Sequence, residues 1–121
     1  AQFIGTPKMN ILKIDEKNVI SENKINLLGN DIQLNNLKLN KSKHFVGIRP
    51  EHLKANQDNQ FSFNPEMELI ENLGNEKIAY MKKEEYQLSA KIPSNVEISN
   101  SIGFDLKDIF VFDQNGKRVK S

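Results

Sequence analysis

The stretch Tyr86-Gln87-Leu88-Ser89-Ala90-Lys91-Ile92-Pro93 alternates apolar and polar side chains at every second position up to the proline. An alternation of period two is typical of a β-strand that has one face in the core and the other in water. Pro93 has no amide hydrogen to donate, so it favours the end of the strand. We therefore predict a half-buried strand over residues 86–92.

Similar short strands are predicted on both sides of this one. The alternation recurs at 61–63, 67–69 and 78–82, and a β-rich apolar run covers 109–112. Pro65 predicts an edge strand or a bulge beside it. Residues that favour chain reversal separate these runs, and they predict turns at 28–31, 73–76, 83–85 and 113–116.

The remaining pattern predicts little helix. Residues 54–60 are predicted as a polar loop and 37–39 as a short strand, with single helical turns at 4–9 or 50–53. Many closely spaced short strands without a long helical pattern indicate an all-β barrel or sandwich. The phenylalanines expected in its core are Phe61, Phe63, Phe104, Phe110 and Phe112.

The composition of the chain predicts one domain that does not bind nucleic acid. The 121 residues include 37% hydrophobic and 27% charged side chains, which is ordinary for a folded domain. Seventeen basic and sixteen acidic side chains give a formal net charge of +1, so no strong field concentrates a polyanion. No apolar run approaches the roughly 20 residues that a membrane helix needs.

The residue types exclude several kinds of chemistry. The absence of Cys excludes disulfides, thiolate metal sites and thiol nucleophiles, and the two histidines do not have the spacing of a zinc site. Gly116-Lys117 is followed by Arg118 and has no glycine five residues before it, so it is not a phosphate-binding P-loop. We therefore predict no catalytic residue, no cofactor-binding residue and no metal ligand in this chain.

The most informative phrase is Val46-Gly47-Ile48-Arg49-Pro50-Glu51-His52-Leu53. A strand is predicted to end at Ile48, where Pro50 fixes its own φ and favours an extended conformation for Arg49. One interpretation is a rigid loop that presents Arg49, Glu51 and His52 to a partner or an anion. The other is a structural corner in which Arg49 pairs with a neighbouring acid, and this is the more frequent situation.

A second candidate is the phrase Asn72-Leu73-Gly74-Asn75-Glu76. Gly and Asn tolerate the backbone angles of tight turns, so the phrase predicts a reversal between two strands. Asn72, Gly74 and Glu76 are retained as interaction candidates together with Pro50 and the other residues of loop 49–52, although a hairpin turn is the simpler explanation.

Four phrases in this order resemble the ATP-binding subunits of maltose-type and glycerol-3-phosphate-type (carbohydrate uptake) ABC importers. They are Phe3-Ile4-Gly5-Thr6-Pro7-Lys8-Met9-Asn10, Gly47 to His52, Glu68 to Glu76, and Gly103 through Phe112 to Arg118. The Gly-Ile-Arg-Pro-Glu-His phrase matches the family's signature without a change. Residues 13–43 depart most from the family, and nothing is carried over to them.

The resemblance implies that residues 1–121 are the C-terminal regulatory domain, of the OB-like (TOBE) type, of a longer subunit whose nucleotide-binding domain is absent. The chain begins Ala1-Gln2-Phe3 without an initiator Met or a signal-peptide pattern, which also favours a piece of a longer protein. The family's ATP and Mg²⁺ would bind in the missing domain, so we expect no cofactor in this fragment and no ATP hydrolysis by it.

The resemblance also implies partners and a location. The partners would be a second copy of the ATPase subunit, the nucleotide-binding domain of the same chain, the permease subunits and, in some members, a regulatory protein. The expected location is cytoplasmic, on the inner face of the membrane through the permease. The expected function is to hold two ATPase subunits together and couple them during transport.

Three other functions remain open at this stage. Related TOBE-type domains bind small oxyanions, and Arg49 with backbone donors could serve that purpose. An OB-fold that binds RNA or DNA is disfavoured by the charge balance and by the phenylalanines expected in the core. A free-standing enzyme is the least favoured because no catalytic pattern is present.

Overall fold

The computed structural model describes residues 8–34, 43–55 and 58–119. Within these ranges the chain forms twelve short strands and three 3₁₀ turns. The strands are β1 Asn10–Ile14, β2 Val19–Ser21, β3 Lys24–Leu27, β4 Asn30–Gln33, β5 His44–Ile48, β6 Lys54–Ala55, β7 Phe61–Phe63, β8 Glu66–Asn72, β9 Glu76–Lys83, β10 Tyr86–Pro93, β11 Ile102–Phe104 and β12 Phe110–Phe112. The 3₁₀ turns are Glu16–Asn18, Pro50–His52 and Leu106–Asp108.

The strands pair antiparallel in four three-stranded sheets, with the orders β1-β5-β12, β10-β9-β8, β6-β11-β7 and β2-β3-β4. The prediction of an all-β domain of short antiparallel strands with little helix is confirmed, and the arrangement is consistent with an OB-like fold. Within the described residues, each of the four sheets has a middle strand and two outer strands. Across the same ranges, no helix has the length and apolar character needed to cross a membrane.

The strand predicted over 86–92 is β10, which extends to Pro93. Its apolar positions are buried, with Tyr86 7%, Leu88 4% and Ile92 1% exposed. Ser89 is also buried because the side chain of Asn10 packs against its backbone and hydrogen-bonds to it. Packing from a neighbouring sheet therefore covers part of the face that the alternation assigns to water.

The strand and turn predictions around β10 are confirmed. β8 is an outer strand of its sheet and has a register shift between Met67 and Leu69, as Pro65 predicted. Gly29, Gly74 and Gly116 take positive φ in three of the predicted turns, and Glu84 does so at φ 56° in the fourth. In the last turn the amide of Gly116 donates to the carbonyl of Asp113 at 2.9 Å.

One prediction about local structure is wrong. Residues 54–60 are not one loop, because Lys54–Ala55 form β6 and Ala55 pairs with Ile102 of β11. The single helical turn predicted at 4–9 or 50–53 is confirmed at Pro50–His52. The predicted strand at 37–39 and the first part of the turn at 4–9 lie outside the described residues.

The core is a single cluster built from the inner faces of all four sheets. Phe63 and Phe104 belong to it as predicted, and Phe61 packs against its edge. The prediction is wrong for Phe110 and Phe112, which are only half-buried because they lie on the opposite face of β12 from the buried Val111. The fully buried large side chains are Phe104, Leu12, Ile25, Leu27, Ile32, Ile48, Leu53, Ile78, Met81, Ile92, Ile102 and Val46.

Candidate functional site

Loop 49–52 leaves β5 through a fixed corner. Arg49 is extended (φ −70°, ψ 147°), and Pro50 begins the 3₁₀ turn that follows it. The amide of His52 donates to the carbonyl of Arg49 at 3.0 Å, and the amide of Leu53 donates to the carbonyl of Pro50 at 3.3 Å. Pro50 and Leu53 are buried while Arg49 and Glu51 are exposed. The corner is therefore anchored by its apolar residues and presents its charged ones.

Gly47 is needed at this corner for reasons of space. A Cβ atom built on Gly47 would lie 2.5 Å from Sδ of Met9 and 2.8 Å from Cε2 of Phe112. Both distances are too short for any real Cβ contact. Because glycine has no side chain, the side chain of Met9 and the ring of Phe112 can lie directly over β5 at this position.

His52 faces a buried carboxylate on another 3₁₀ turn. Its Nδ1 lies 3.6 Å from Oδ1 of Asp108, whose side chain is 8% exposed. This separation suits a Coulombic contact but is too long for a hydrogen bond. Nδ1 of His52 and Oδ2 of Asp108 are both buried without a hydrogen-bond partner among the described residues. The contact links turn 50–52 to turn 106–108, and it leaves these two atoms without a hydrogen bond among the described residues.

Arg49 does not pair with an acid but stacks on an aromatic ring. Its Cζ lies 5.5 Å from the centroid of the Phe110 ring, and Cζ of Arg118 lies 4.6 Å from the same centroid. Phe110 reaches this place because it pairs with Gly47 across β5 and β12. The backbone of loop 49–52 thus forms a corner as in the second interpretation, but Arg49 contacts Phe110 rather than a carboxylate.

Turn 72–76 is the hairpin turn that joins β8 to β9. The amide of Leu73 donates to the carbonyl of Glu76 at 2.8 Å, and the amide of Gly74 donates to Oδ1 of Asn72 at 3.0 Å. Gly74 takes a φ of 97°, which side-chain-bearing residues rarely adopt. Asn72 and Gly74 therefore act within the turn itself.

Glu76 lies close to the region that loop 49–52 reaches. Its Oε2 is 3.5 Å from Nζ of Lys91. Lys91 in turn lines an open groove of about 240 Å³ together with Glu51, Lys54, Ala55, Ile92, Pro93 and Val96. The structure thus brings the two predicted phrases together through Lys91, with Glu51 on one side and Glu76 on the other.

A third loop is fixed by Asp105 next to β11. The amide of Gln60 donates to Oδ1 of Asp105 at 2.9 Å, and Nδ2 of Asn59 donates to Oδ2 at 3.2 Å. These hydrogen bonds, the one from Gln60 above all, hold the pKa of Asp105 below its ordinary value. The carboxylate therefore holds residues 59–60 in place.

Sequence reasoning missed Phe110, Arg118, Asp108 and Lys91 as members of this region. These residues join the region through contacts with residues far away in the sequence. A local sequence pattern does not indicate such contacts. Within residues 8–34, 43–55 and 58–119, no group of three or more His, Asp or Glu side chains could hold a metal ion.

Comparison with known proteins shows which class of protein the chain resembles. The chain is homologous, along nearly its whole length, to ATP-binding subunits of ABC importers for sugars and glycerol 3-phosphate. No protein-family model matches the chain.

Three relatives illustrate the similarity. The maltose/maltodextrin import ATP-binding protein MalK of Vibrio vulnificus is 27% identical over 131 residues, which cover 99% of this chain and 35% of that protein. The sn-glycerol-3-phosphate import ATP-binding protein UgpC of Vibrio cholerae is 28% identical, covering 98% and 33%. The alpha-glucoside transport ATP-binding protein AglK of Rhizobium meliloti is 26% identical, covering 100% and 36%. The chain spans about a third of the length of these curated relatives.

Proposed function

We propose that this chain is the C-terminal regulatory and dimerisation domain of the ATP-binding subunit of a sugar or glycerol-3-phosphate ABC importer. The observation that carries the proposal is the coverage of the matches. Relatives named as import ATP-binding proteins match 98–100% of this chain, while the chain covers only 33–36% of them. A region of that size with an all-β fold fits an accessory domain of a longer subunit.

In this proposal the domain performs no catalysis. Its sequence has no P-loop, so ATP and Mg²⁺ would bind in a separate nucleotide-binding domain of the parent chain. The domain instead provides a constant contact between two subunits. Such a contact raises the effective concentration of the two nucleotide-binding domains for each other, which speeds their reassociation without new chemistry.

The proposed partners follow from this role. They are a second copy of the subunit, the nucleotide-binding domain of the same chain, the permease subunits reached through the parent protein, and a regulatory protein. The proposed location is the cytoplasmic face of the membrane, where the parent is held by the permease. Loop 49–52 and turn 72–76 are the proposed contact residues, since Arg49, Glu51 and residues 72–75 are exposed, and Glu51 and Glu76 both lie beside Lys91.

The first test is the mass of the native protein, recovered from source cells with an antibody against this chain. We expect a mass about three times that of the chain, because the relatives are about three times as long. Peptides from the additional part should contain a Gly-x-x-x-x-Gly-Lys-Ser/Thr motif. A native mass equal to that of the chain would overturn the proposal.

The dimerisation role needs a separate measurement on the parent protein. ATP hydrolysis per subunit is measured against subunit concentration for the parent with and without residues 1–121. If the domain holds the pair together, its removal should make the specific activity fall steeply on dilution, whereas the intact parent should keep its activity. Equal concentration dependence of the two proteins would leave the domain without this role.

A second candidate function is the binding of a small oxyanion. The observation in its favour is the pair of guanidinium groups of Arg49 and Arg118 on one ring. Neither arginine lines either of the two grooves described for this structure, and small-ligand sites are usually concave. A rise of the thermal midpoint with molybdate, sulfate, phosphate or glycerol phosphate would support this candidate.

A further inference from the structure

The two arginines of the chain meet at one phenylalanine. Fifteen of the seventeen basic residues are Lys, and the two Arg residues stand 69 positions apart in the sequence. The fold nevertheless places both guanidinium groups against the ring of Phe110, at 5.5 Å for Arg49 and 4.6 Å for Arg118. Arg118 reaches the ring because its backbone bridges to Phe112 at the end of β12.

Among the described residues, no Asp or Glu side chain forms an ion pair with either arginine. All sixteen Asp and Glu residues lie within the described ranges, and the charged contacts found there use Lys or His side chains. Oδ1 of Asp113 accepts hydrogen bonds from the amides of Asn115 and Lys117. Both arginines are exposed, so their hydrogen-bonding edges are open to a partner.

The arrangement is suited to receiving negative charge. Each cation–π contact at the protein surface is weak, and two cations on one ring repel each other. A guanidinium placed against a ring keeps N–H groups that can bind a carboxylate through two hydrogen bonds. Lysine could supply the charge at these positions but not this bidentate edge.

The exposure of both arginines favours a protein partner over a free ion. Neither arginine lines the two described grooves of about 240 and 270 Å³. A small anion on such a surface stays hydrated and weakly bound. Several carboxylates on one extended segment can engage both guanidinium groups at once.

We propose that Arg49 and Arg118, stacked on Phe110, form a docking site for an acidic segment of a partner protein. The carboxylates of that segment bind the outer edges of the guanidinium groups, and Phe110 holds the two groups in place. The proposal does not depend on the dimerisation role, since a domain in any assembly could use this site.

The test uses the fact that the chain has only two arginines. Labelling with ¹⁵N-arginine gives two Nε–Hε signals in the nuclear magnetic resonance spectrum, and Arg49→Lys and Arg118→Lys assign them by loss of one signal each. The probe is a blocked peptide of six glutamates, and the matched control is a peptide of six glutamines. We expect both signals to shift and saturate with the acidic peptide and to stay in place with the neutral one.

Variants then separate the geometry from the net charge. Arg49→Lys, Arg118→Lys and Phe110→Leu should each weaken binding of the acidic peptide about fivefold, since each removes a bidentate edge or the stacking plane. Lys107→Gln removes an exposed charge elsewhere and should change the affinity less than twofold. Thermal midpoints of the variants verify that each is folded.

Four outcomes would overturn the proposal. The first is equal binding by the wild type and the Arg→Lys variants, which would show attraction by charge alone. The second is saturation by sulfate or phosphate at a lower concentration than by the acidic peptide, which would make the site one for small ions. The third is movement of the signals with protein concentration alone, which would make the partner a second copy. The fourth is the absence of any shift.

Discussion

Two neighbouring regions at the end of β5 differ in whether their buried polar atoms have hydrogen-bond partners. The carbonyl of Ile48 accepts a hydrogen bond from Asn10, a buried side chain whose amide makes three such bonds. One residue further, Arg49 is exposed, and beyond it Nδ1 of His52 and Oδ2 of Asp108 are buried without hydrogen-bond partners among the described residues. The first region has its polar atoms paired within the chain, whereas the second leaves two buried polar atoms unpaired there.

The difference explains how a small domain can present a defined surface. Nδ2 of Asn10 donates to the carbonyls of Ile48 at 3.0 Å and Ser89 at 2.9 Å, and its Oδ1 accepts from the amide of Ser89 at 2.8 Å. These bonds tie the β1-β5-β12 sheet to β10. Because a buried polar group without partners is costly, this satisfied group fixes the position of β5 and of the loop that follows.

The largest expected effect on stability therefore comes from removing the hydrogen bonds of Asn10. Asn10→Ala leaves the carbonyl and amide of Ser89 and the carbonyl of Ile48 without their partner. We expect the free energy of unfolding to fall by about 3 kcal/mol, as measured by urea denaturation. Asn95→Ala, which truncates an exposed asparagine, is the matched control and should change it by less than about 0.5 kcal/mol. Similar losses for both variants would contradict this account of Asn10.

A somewhat smaller effect is expected at Gly47, where the two regions meet. Gly47→Ala adds a methyl group that must displace Sδ of Met9 and the ring of Phe112. We expect a loss of about 2 kcal/mol in the free energy of unfolding, because overpacking forces side chains and strands apart.

Trimming Met9 provides the control for the prediction at Gly47. In the double variant with Met9→Ala, the added methyl group loses one of its two close neighbours, so part of the loss should be recovered relative to the single variants. Strict additivity of the two substitutions would show that the strain at Gly47 does not come from Met9.

The parts of the fold that the sequence predicted are those with local causes. β7 to β10 follow from alternation, and the turns between them follow from Gly74, Pro65 and the acidic pair at 84–85. β11 was missed because Ile102, Gly103 and Phe104 are all buried and show no alternation. β6 was missed because a two-residue strand exists only through its pairing with β11.

The candidate site was predictable to a smaller extent. The sequence singled out loop 49–52 and the backbone corner at Pro50, which are local features. It could not place Arg118 beside Arg49, since that contact depends on how β12 pairs with β5. It also assigned Phe110 to the core, because the apolar run 109–112 does not indicate which face of the strand packs inward.

The smallest expected effect concerns the two tyrosines. Their hydroxyl groups again differ in that one belongs to a buried residue and the other lies at an exposed strand. Tyr86 is buried and donates to the carbonyl of Lys13 at 2.7 Å, while Tyr80 donates to Glu71 on the exposed strand β8 at 2.9 Å. Burial above all, with the carboxylates of Glu85 and Glu84, raises the pKa of Tyr86 to about 12. The hydrogen bond to Glu71 is the main cause that raises the pKa of Tyr80.

Because the pKa of Tyr86 is higher in the folded state, its contribution to stability is complete below the ordinary value of 10.0 and is lost as the pH rises toward about 12. The difference in unfolding free energy between wild type and Tyr86→Phe should be about 1 kcal/mol near neutral pH and shrink over that interval. Phenolate absorbance of the two single Tyr→Phe variants assigns the two titrations. High salt should lower the pKa of Tyr86 only in part, because salt screens the carboxylates of Glu85 and Glu84 but does not remove the effect of burial. A pKa of Tyr86 that returned to its ordinary value in high salt would mean that burial is not the main cause of the shift.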